Sequence, residues 1–529
     1  MTLTRRTFAQ GAAMLAGASP LMGFSRRPPG DPIAETSWGR VRGHRQDGVC
    51  VFKGIRYGAD TAQTRFSQPR QPTPWRDVID ATEYGASAPQ KRPDGPASED
   101  CLFLNVWTPA IADDARRPVM VYFHGGAYAS GSGSSPLYDG TNLAIKGDVV
   151  VITVNHRLNA FGYLSLQHLS PDFPDSGNAG MWDLVLALRW IQANAAAFGG
   201  DASRIFVFGQ SGGGAKIATL MAAPSAKGLF HSAATMSGQQ VTACGPLNGR
   251  KRAATFLRAA GIDPADTQAL LAAPMEQLVD ALSGADPINP DRGLYFGPVL
   301  DGRLLTRHPF WPDAPDQSAG IPMILGNTKD ETRNLIGSRQ PETFDLDWAD
   351  LPALLAVHMR CDIDPAEVIE TYRTLYPEQS ASDVFFAAAT AGRSWRGQVE
   401  EADARAVLDG PTWVYQFDLA SPEDGGKWGA PHTIDIAFAF DNLDRSGVHD
   451  GTRVPTGGVY ARVADELSRA FISMARNGHP NHAGLPHWDT HTLPNRQTMI
   501  FDAATRVEND PRQGERELFA KVPFTQWGT

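Results

Sequence analysis

Short continuous runs of hydrophobic residues recur along the chain and are separated by glycine-rich loops or by stretches with helical spacing. Continuous runs of this kind are typical of strands that are buried on both faces of a sheet. The runs are Val119–Phe123, Val149–Val154, Ile205–Phe208, Ile321–Leu325, Trp413–Phe417 and Thr498–Phe501. Between the second and third runs, Asn178–Phe198 repeats hydrophobic residues at helical spacing. This alternation predicts an α/β fold with a large, mostly parallel central sheet flanked by helices, and Thr498–Phe501 is expected to be its last strand.

Two other patterns accompany this alternation. Shorter β-like runs with turn residues predict an antiparallel section near the N-terminus, at Gly39–Gly43, Val51–Tyr57 and Leu102–Thr108. Leu247–Leu282 and Leu351–Ser394 have helical character and predict helical insertions. Because no convincing linker follows residue 33, the sequence predicts one large domain over residues 33–529.

The first residues have the order of an export signal. Arg5 and Arg6 precede a mildly apolar stretch, Ala9–Phe24, which contains the small residues Ala16 and Ala18 at cleavage-site spacing. The stretch is short and interrupted by Gly and Pro, which makes it a poor membrane span. We therefore predict a twin-arginine signal over residues 1–25 and a linker over 26–32, with the protein periplasmic or secreted. No other apolar run is long enough to predict a stable membrane span.

Composition narrows the classes of partner. Of the 529 residues, 42% are hydrophobic and 20% are charged, which is typical of a folded globular chain. The net charge of −10 disfavours nucleic acid, because such a surface repels phosphate backbones. The four cysteines match no zinc or redox spacing, so single thiols are expected, although disulfides stay open for an exported protein. Their positions are Cys50, Cys101, Cys244 and Cys361.

A candidate nucleophile lies directly after the Ile205–Phe208 strand. Residues 209–213 read Gly-Gln-Ser-Gly-Gly and fit G-x-S-x-G, the nucleophile elbow of α/β hydrolases. The glycines remove side chains that would collide on a sharp strand-to-helix turn. The turn would hold Ser211 over a helix N-terminus, where free N–H groups and the helix dipole favour negative charge. The alternative is a glycine-rich turn with an incidental serine.

A second loop supplies candidate oxyanion donors. His124-Gly125-Gly126-Ala127-Tyr128 follows the Val119–Phe123 strand, and its small residues allow backbone N–H groups to approach a substrate. Acyl transfer builds negative charge on the carbonyl oxygen, and one preorganised donor can supply about 3 kcal/mol of transition-state stabilisation. We predict an oxyanion hole built on Gly125, Gly126, Ala127 and Gly212, with the last three donating. A flexible glycine loop is the alternative.

Taken together, the motifs resemble those of type B carboxylesterases, the family that includes the cholinesterases. The matching segments follow in family order and span nearly the whole chain after the signal. Besides the two loops above they are Ser98–Asn105, Val154–Leu158, Ala197–Asp201, Gly326–Glu331 and Thr498–Asp502. The resemblance implies an α/β-hydrolase fold whose helical insertions form an active-site gorge. It also implies a Ser-Glu-His triad in that chain order.

The triad carries over to Ser211, Glu331 and His432. Glu331 follows the Ile321–Leu325 strand, although Thr332 stands where the family usually has Gly, and the adjacent Asp330 is expected to point elsewhere. His432 follows the Trp413–Phe417 strand and precedes an apolar run. The serious rival for the base is His449. The other histidines after Glu331 lie in a helical pattern or in polar stretches, at positions 358, 479, 482, 487 and 491.

Two departures from the family affect function and covalent structure. Gln210 replaces a frequent Glu before the serine, which disfavours cationic choline esters and predicts neutral carboxylic esters as substrates. Cys101 matches a disulfide cysteine of the family, but its usual partner falls near Ala88, so this bridge is expected to be absent.

The resulting hypothesis is a serine carboxylic-ester hydrolase that works through an acyl-enzyme on Ser211. It needs no metal and no organic cofactor, and its partner is a small-molecule ester. An amidase, thioesterase or acyltransferase could use the same triad, and a non-catalytic binding protein could have the same fold. The oligomeric state, monomer or dimer, stays open at this stage.

Overall fold

The parallel core predicted from the hydrophobic runs is present. The computed structural model describes residues 30–289, 293–449, 451–526 and 528. The predicted export signal lies outside these residues. Within them the strands are β1 (Ile33–Thr36), β2 (Gly39–Arg42), β3 (His44–Gln46), β4 (Val49–Arg56), β5 (Ile79–Asp80), β6 (Phe103–Thr108), β7 (Arg117–Phe123), β8 (Val150–Val154), β9 (Gly200–Gln210), β10 (Ser232–Met236), β11 (Met323–Thr328), β12 (Thr412–Phe417), β13 (Gln497–Phe501) and β14 (Arg506–Asn509).

Most of the strands belong to one large sheet. Across the described residues it has eleven strands in the order β14-β13-β12-β11-β10-β9-β7-β8-β6-β4-β3, and β1, β2 and β5 form a small separate sheet. The strands from β8 to β13 pair in parallel, whereas β6, β4 and β3 at one edge and β14 at the other pair antiparallel. This arrangement confirms the predicted mainly parallel sheet and the antiparallel N-terminal section.

Helices cover both faces of the sheet. They are α1 (Thr141–Gly147), α2 (Asn159–Tyr163), α3 (Ala179–Asn194), α4 (Gly212–Ala222), α5 (Pro246–Ala259), α6 (Thr267–Ala272), α7 (Met275–Ala281), α8 (Glu331–Leu335), α9 (Leu351–His358), α10 (Pro365–Leu375), α11 (Ala381–Thr390), α12 (Arg396–Val407), α13 (Ile434–Ala439), α14 (Val459–Asn477) and α15 (Gln513–Phe519). Among the described helices, none is long and apolar enough to cross a bilayer.

Burial on both faces explains the continuous hydrophobic runs. Every residue of β7 and β8 is buried. On one face, the ring of Phe471 in α14 packs edge-on against Phe206 and Phe208 of β9, with centroids 5.9 and 6.0 Å apart. Since such strands need apolar side chains in both directions, their sequences show no alternation.

Several elements differ from the sequence-based expectation. The run Thr498–Phe501 is not the last strand, because β14 follows it and closes the sheet edge antiparallel. Strand β10, which reads Ser-Ala-Ala-Thr-Met, lacks a strong hydrophobic run, although it is fully buried between β9 and β11. The helical stretch that was expected to end at Ser394 contains a π-helical segment, Ala391–Trp395, which continues directly into α12.

Candidate active site

Ser211 occupies the turn between β9 and α4. Its backbone has φ 54° and ψ −125°, which is a strained conformation for a residue with a side chain. A hydrogen bond of 2.7 Å from the Ser211 N–H to the carbonyl of Met236 in β10 helps to hold this conformation. The predicted nucleophile therefore sits on a sharp strand-to-helix turn, directly before the N-terminus of a helix.

The first turn of α4 packs against the predicted oxyanion loop without room for side chains. A Cβ atom added to Gly213 would lie 1.9 Å from the carbonyl oxygen of Phe123, where β7 ends. In the loop, Gly126 and Ala127 have φ values of 81° and 53°. Their N–H groups donate to no described residue, and the N–H of Gly212 belongs to the helix N-terminus. These three N–H groups are therefore available to a ligand.

Lys216 donates hydrogen bonds to two backbone carbonyls of this loop. Its side chain is fully buried in α4, and its Nζ donates to the carbonyls of Ala127 and His124, at 2.7 and 3.3 Å. It forms no ion pair with any described residue, and burial lowers the pKa of Lys216 to about 7. The loop that carries the oxyanion donors is thus tied to the helix that follows the nucleophile.

Glu331 and His432 are in direct contact with each other. Glu331 is the first residue of α8, shortly after β11, and His432 lies between β12 and α13. The Nδ1 atom of His432 is hydrogen-bonded to Oε2 of Glu331. The carboxylate is fully buried, and 7% of the histidine surface is exposed. The two residues that the resemblance assigned as acid and base are therefore brought together by strands that neighbour each other in the sheet.

The Glu331 carboxylate is compensated by several hydrogen-bond donors. Its Oε1 accepts from the Thr328 N–H at 3.1 Å and from Nδ2 of Asn327 at 3.0 Å. Burial alone raises the pKa of Glu331, but the His432 imidazole, the Ser237 hydroxyl and the Thr328 N–H together lower it below the ordinary value of a glutamate. The acid is therefore ionised at neutral pH and can fix the orientation of the imidazole.

Gln210 contacts the other nitrogen of the imidazole. Its Nε2 lies 3.1 Å from Nε2 of His432, whereas no hydrogen bond joins Ser211 Oγ to His432. In the tautomer with its proton on Nδ1, His432 donates to Glu331 through Nδ1. Its Nε2 then carries a lone pair that accepts a hydrogen bond from the Gln210 amide. Catalytic hydrogen bonds are often completed only when a substrate binds.

The rival candidates occupy different positions. Asp330 Oδ2 accepts from the Ala430 N–H at 2.9 Å and its Oδ1 pairs with Arg333, so this carboxylate does point elsewhere on the turn. His449 lines the cavity, but its Nε2 lies 3.3 Å from Ser135 Oγ, and no bond joins it to Glu331. His432, not His449, is therefore the histidine that is hydrogen-bonded to the predicted acid.

The predicted triad and the predicted oxyanion residues line one cavity of about 610 Å³. Ser211, Glu331 and His432 line it together with the Gly125–Ala127 loop and Gly212. The cysteines take no part: all four lie within the described residues and are free thiols. The expectation that Cys101 has no disulfide partner is confirmed.

Several residues that line or contact the site are not predicted by the sequence. The signal for Lys216 was a single charged residue within an otherwise apolar helix. Asn327, which donates to Glu331, is the second residue of a family segment and could have been noted there. Arg360 and Arg393, which also line the cavity, gave no sequence signal.

Comparisons with known proteins identify the family of the chain. A family model described as the carboxylesterase family matches residues 30–519. The para-nitrobenzyl esterase of Bacillus subtilis (strain 168) is 34% identical over 504 residues, covering 92% of this chain and 98% of that protein. The phenmedipham hydrolase of Pseudarthrobacter oxydans is 34% identical over 507 residues, covering 90% of this chain and 97% of that protein.

A solved structure gives the same result. The crystal structure of a carboxylesterase of Geobacillus stearothermophilus at pH 6.2 superposes with a TM-score of 0.81 at 36% identity, covering 92% of this chain and 99% of that chain. The likeness extends over almost the whole length of both chains, and it includes the α/β-hydrolase sheet. The chain therefore belongs to the carboxylesterase family and is a carboxylic-ester hydrolase.

Proposed function

We propose that the chain hydrolyses carboxylic esters through an acyl-enzyme on Ser211, with His432 as base and Glu331 as the acid of the triad. The observation that carries this proposal is the buried hydrogen bond between His432 Nδ1 and Glu331 Oε2. It lies in the same cavity as a strained serine turn and a loop with free N–H donors. Each of these features has a defined task in acyl transfer.

In the first half of the reaction, Ser211 Oγ attacks the ester carbonyl carbon while His432 Nε2 takes the hydroxyl proton. For this, Nε2 exchanges its contact with Gln210 for one with the serine hydroxyl. The N–H groups of Gly126, Ala127 and Gly212 stabilise the carbonyl oxygen as it becomes negative. His432 then gives its proton to the leaving alkoxide, and the acyl group stays on Ser211.

In the second half, His432 Nε2 takes a proton from water, whose oxygen attacks the acyl carbon. The tetrahedral intermediate is held by the same N–H groups. It collapses to the free acid, and His432 returns the proton to Ser211 Oγ. Glu331 stays ionised throughout and stabilises the imidazolium that forms in each half.

The proposal is tested by Ser211→Ala, with Ser130→Ala as the matched control, since Ser130 also lines the cavity. We expect S211A to lower kcat for a p-nitrophenyl ester by about 10⁴-fold or more, and S130A to retain the wild-type kcat within about threefold. A fluorophosphonate probe should label the Ser211 peptide of the wild type, which mass spectrometry can identify. Full esterase activity of folded S211A would disprove the proposal.

The type of bond cleaved is a separate question that the triad leaves open. Matched substrates with one acyl group and an ester, amide or thioester linkage should be compared by kcat/KM. We propose that the ester is preferred, because the chain belongs to a family of ester hydrolases. A larger kcat/KM for the amide or the thioester would reassign the reaction.

We also propose that residues 1–25 direct export by the twin-arginine route, which places the enzyme in the periplasm or outside the cell. The support is the order of Arg5, Arg6, the apolar stretch and the small residues. Replacing both arginines by lysine should retain the enzyme in the cytoplasmic fraction. Unchanged export of the doubly substituted protein would argue against this route.

A further inference from the structure

Positive charge is concentrated on the wall of the catalytic cavity. Apart from the Glu331–His432 pair, the charged residues among the described lining are four arginines and one carboxylate, Asp94. The arginines are Arg92, Arg339, Arg360 and Arg393. The whole chain has a net charge of −10, so composition does not account for this excess. A cleft lined by one sign of charge concentrates ligands of the opposite sign.

Two of the arginines belong to backbone segments that pack against each other in the wall. Arg393 belongs to the π-helical segment Ala391–Trp395, and π-helical turns are frequent at functional sites. Its neighbour Gly392 packs against the turn on either side of Arg360. A Cβ atom on Gly392 would lie 2.5 Å from the Met359 carbonyl oxygen and 3.1 Å from Cys361 Sγ. The backbone segments that carry the two arginines therefore lie against each other.

The backbone at Arg360 supports a functional role. Its φ is 59°, a conformation that costs energy for a residue with a side chain. Arg360 and Arg393 are half-buried rather than fully exposed. Strained residues persist where the surrounding structure holds them, and they cluster at binding sites.

The arginine wall is also connected to the predicted acid. Ser394, next to Arg393, accepts a hydrogen bond from Asn327 Nδ2 at 2.8 Å. The same Asn327 amide donates to Oε1 of Glu331 at 3.0 Å. The π-helical segment is thus linked to the predicted acid through the side chain of Asn327.

We propose that Arg360 and Arg393 bind a carboxylate of the substrate, so that the preferred esters carry a free carboxylate in addition to the scissile ester bond. The inference rests on the proposed function and names its substrate class. A guanidinium binds a carboxylate through two parallel N–H bonds, which gives orientation as well as affinity. Arg92 and Arg339 are exposed at the cavity and attract the anion from solution.

This proposal differs from the expectation of neutral esters. That expectation was drawn from Gln210 alone, because a missing carboxylate disfavours cationic substrates. A neutral amide does not discriminate between neutral and anionic esters. The arginines do discriminate, and they were not visible as a group in the sequence.

Two matched substrate pairs test the proposal. Monoethyl adipate and diethyl adipate differ in a carboxylate on the acid side of the ester, and 4-acetoxybenzoate and its methyl ester differ on the alcohol side. We expect the wild type to favour the anion in at least one pair by about fivefold or more in kcat/KM. Raising the ionic strength from about 0.02 to about 0.5 M should lower kcat/KM for that anion by about threefold or more.

Arg360→Gln and Arg393→Gln should each lower the anion-to-neutral ratio of kcat/KM by about 10-fold or more, and Arg393→Lys should restore part of it. Arg189→Gln is the control, because Arg189 is exposed on α3 outside the cavity lining and its loss removes the same charge. Its ratio should equal that of the wild type. The salt dependence of the wild type decides the question even if an arginine variant fails to fold.

Binding to S211A separates this inference from the proposed function. Calorimetry should detect monoethyl adipate binding to S211A and about 10-fold or more weaker binding to S211A with R393Q. If the wild type cleaves no ester, the proposed function fails and this binding measurement alone decides. Preference for the neutral ester in both pairs would overturn the inference, as would ratios that R360Q and R393Q leave within about twofold.

Discussion

Glu331 and Lys216 are both fully buried ionisable side chains beneath the catalytic cavity, but their charges are compensated in different ways. Glu331 has an imidazole partner and two N–H donors, which together lower its pKa from the ordinary value of a glutamate. Lys216 has two backbone carbonyls and no ion pair with a described residue, and its pKa falls to about 7. Burial opposes both charges, so the partners decide which of them persists.

The site has an acid–base half, which contains Glu331 and His432, and an oxyanion half, which contains the loop after β7 and Lys216. The two halves differ in the same way as these two buried charges. In the acid–base half of the proposed mechanism, the Glu331 carboxylate is hydrogen-bonded to His432, on which the proposal places the positive charge that develops during the reaction. In the proposed oxyanion half, backbone N–H groups stabilise the negative charge, and Lys216 donates to two carbonyls of the loop that carries them. Burial, and the charge of Lys216, lower the pKa of the neighbouring His124 to about 3, so this histidine stays neutral.

The contrast predicts that the acid–base half is the more sensitive to the loss of charge. Glu331→Gln should lower kcat by about 10³- to 10⁴-fold, because an amide at this position holds the imidazole in the wrong tautomer. The measurement is kcat for a p-nitrophenyl ester, with circular dichroism to verify the fold.

Asp330→Asn is the control for this variant, because Asp330 is adjacent and charged but bonds to Ala430 and Arg333 instead of His432. Its kcat should stay within about 10-fold of the wild type. If E331Q retained a tenth of the wild-type kcat, the role of Glu331 as the triad acid would be refuted.

In the oxyanion half, Lys216→Met should lower kcat by about 10- to 100-fold and leave KM nearly unchanged. The reason is that the carbonyls of His124 and Ala127 lose their common donor, so the N–H groups of the loop are less well aimed at the transition state. Loss of one oxyanion donor outright costs about 10²- to 10³-fold. Steady-state kinetics with a neutral ester measure the effect.

Lys227→Met is a suitable control for K216M, since Lys227 is exposed and lies a few residues after α4. We expect wild-type kinetics from it. An unchanged kcat in K216M would show that the loop keeps its geometry without the lysine. The different compensation of the two buried charges would then have no effect on kcat in the oxyanion half.

The sequence predicted the triad half of the site better than the oxyanion half, and the topology explains why. Ser211, Glu331 and His432 each follow a strand that gave a clear hydrophobic run, namely β9, β11 and β12. Since the carboxyl ends of parallel strands meet at one edge of a sheet, residues in these turns come together. Even so, the choice of Glu331 over Asp330 came from the family resemblance and not from its own pattern.

Residues that act through long-range packing could not be predicted in this way. Lys216 contacts the loop after β7, and Arg360 meets the segment of Arg393 only because Gly392 has no side chain. In the fold, the sequence does not predict β10, because this buried strand between β9 and β11 consists mostly of small residues and gives no strong hydrophobic run. These features depend on which surfaces meet in the folded chain, which local periodicity does not record.

The pH dependence of stability sharpens the comparison further. The pKa of Lys216 is 10.5 in the unfolded chain and about 7 in the fold, so between these values the unfolded state binds more protons. The contribution of Lys216 to the free energy of unfolding therefore rises with pH across this window, and it is least favourable below about pH 7. K216M removes this contribution.

The difference in unfolding free energy between wild type and K216M should therefore shift in favour of the wild type from pH 7 to pH 10. The slope has an upper limit of about 1.4 kcal/mol per pH unit. Urea unfolding at several pH values measures it, and K227M should run parallel to the wild type. A flat difference would mean that Lys216 keeps its charge in the fold, as Glu331 does.

The smallest expected effect concerns Gln210, which contacts the imidazole nitrogen that faces away from Glu331. Gln210→Glu places a second carboxylate within hydrogen-bond distance of His432. A negative charge there favours the protonated imidazole, so the base becomes available only at higher pH. The acid limb of the kcat/KM profile should move up by about one pH unit, whereas the uncharged Gln210→Met should leave it in place. Identical limbs in Q210E and Q210M would show that position 210 does not act on the base through its charge.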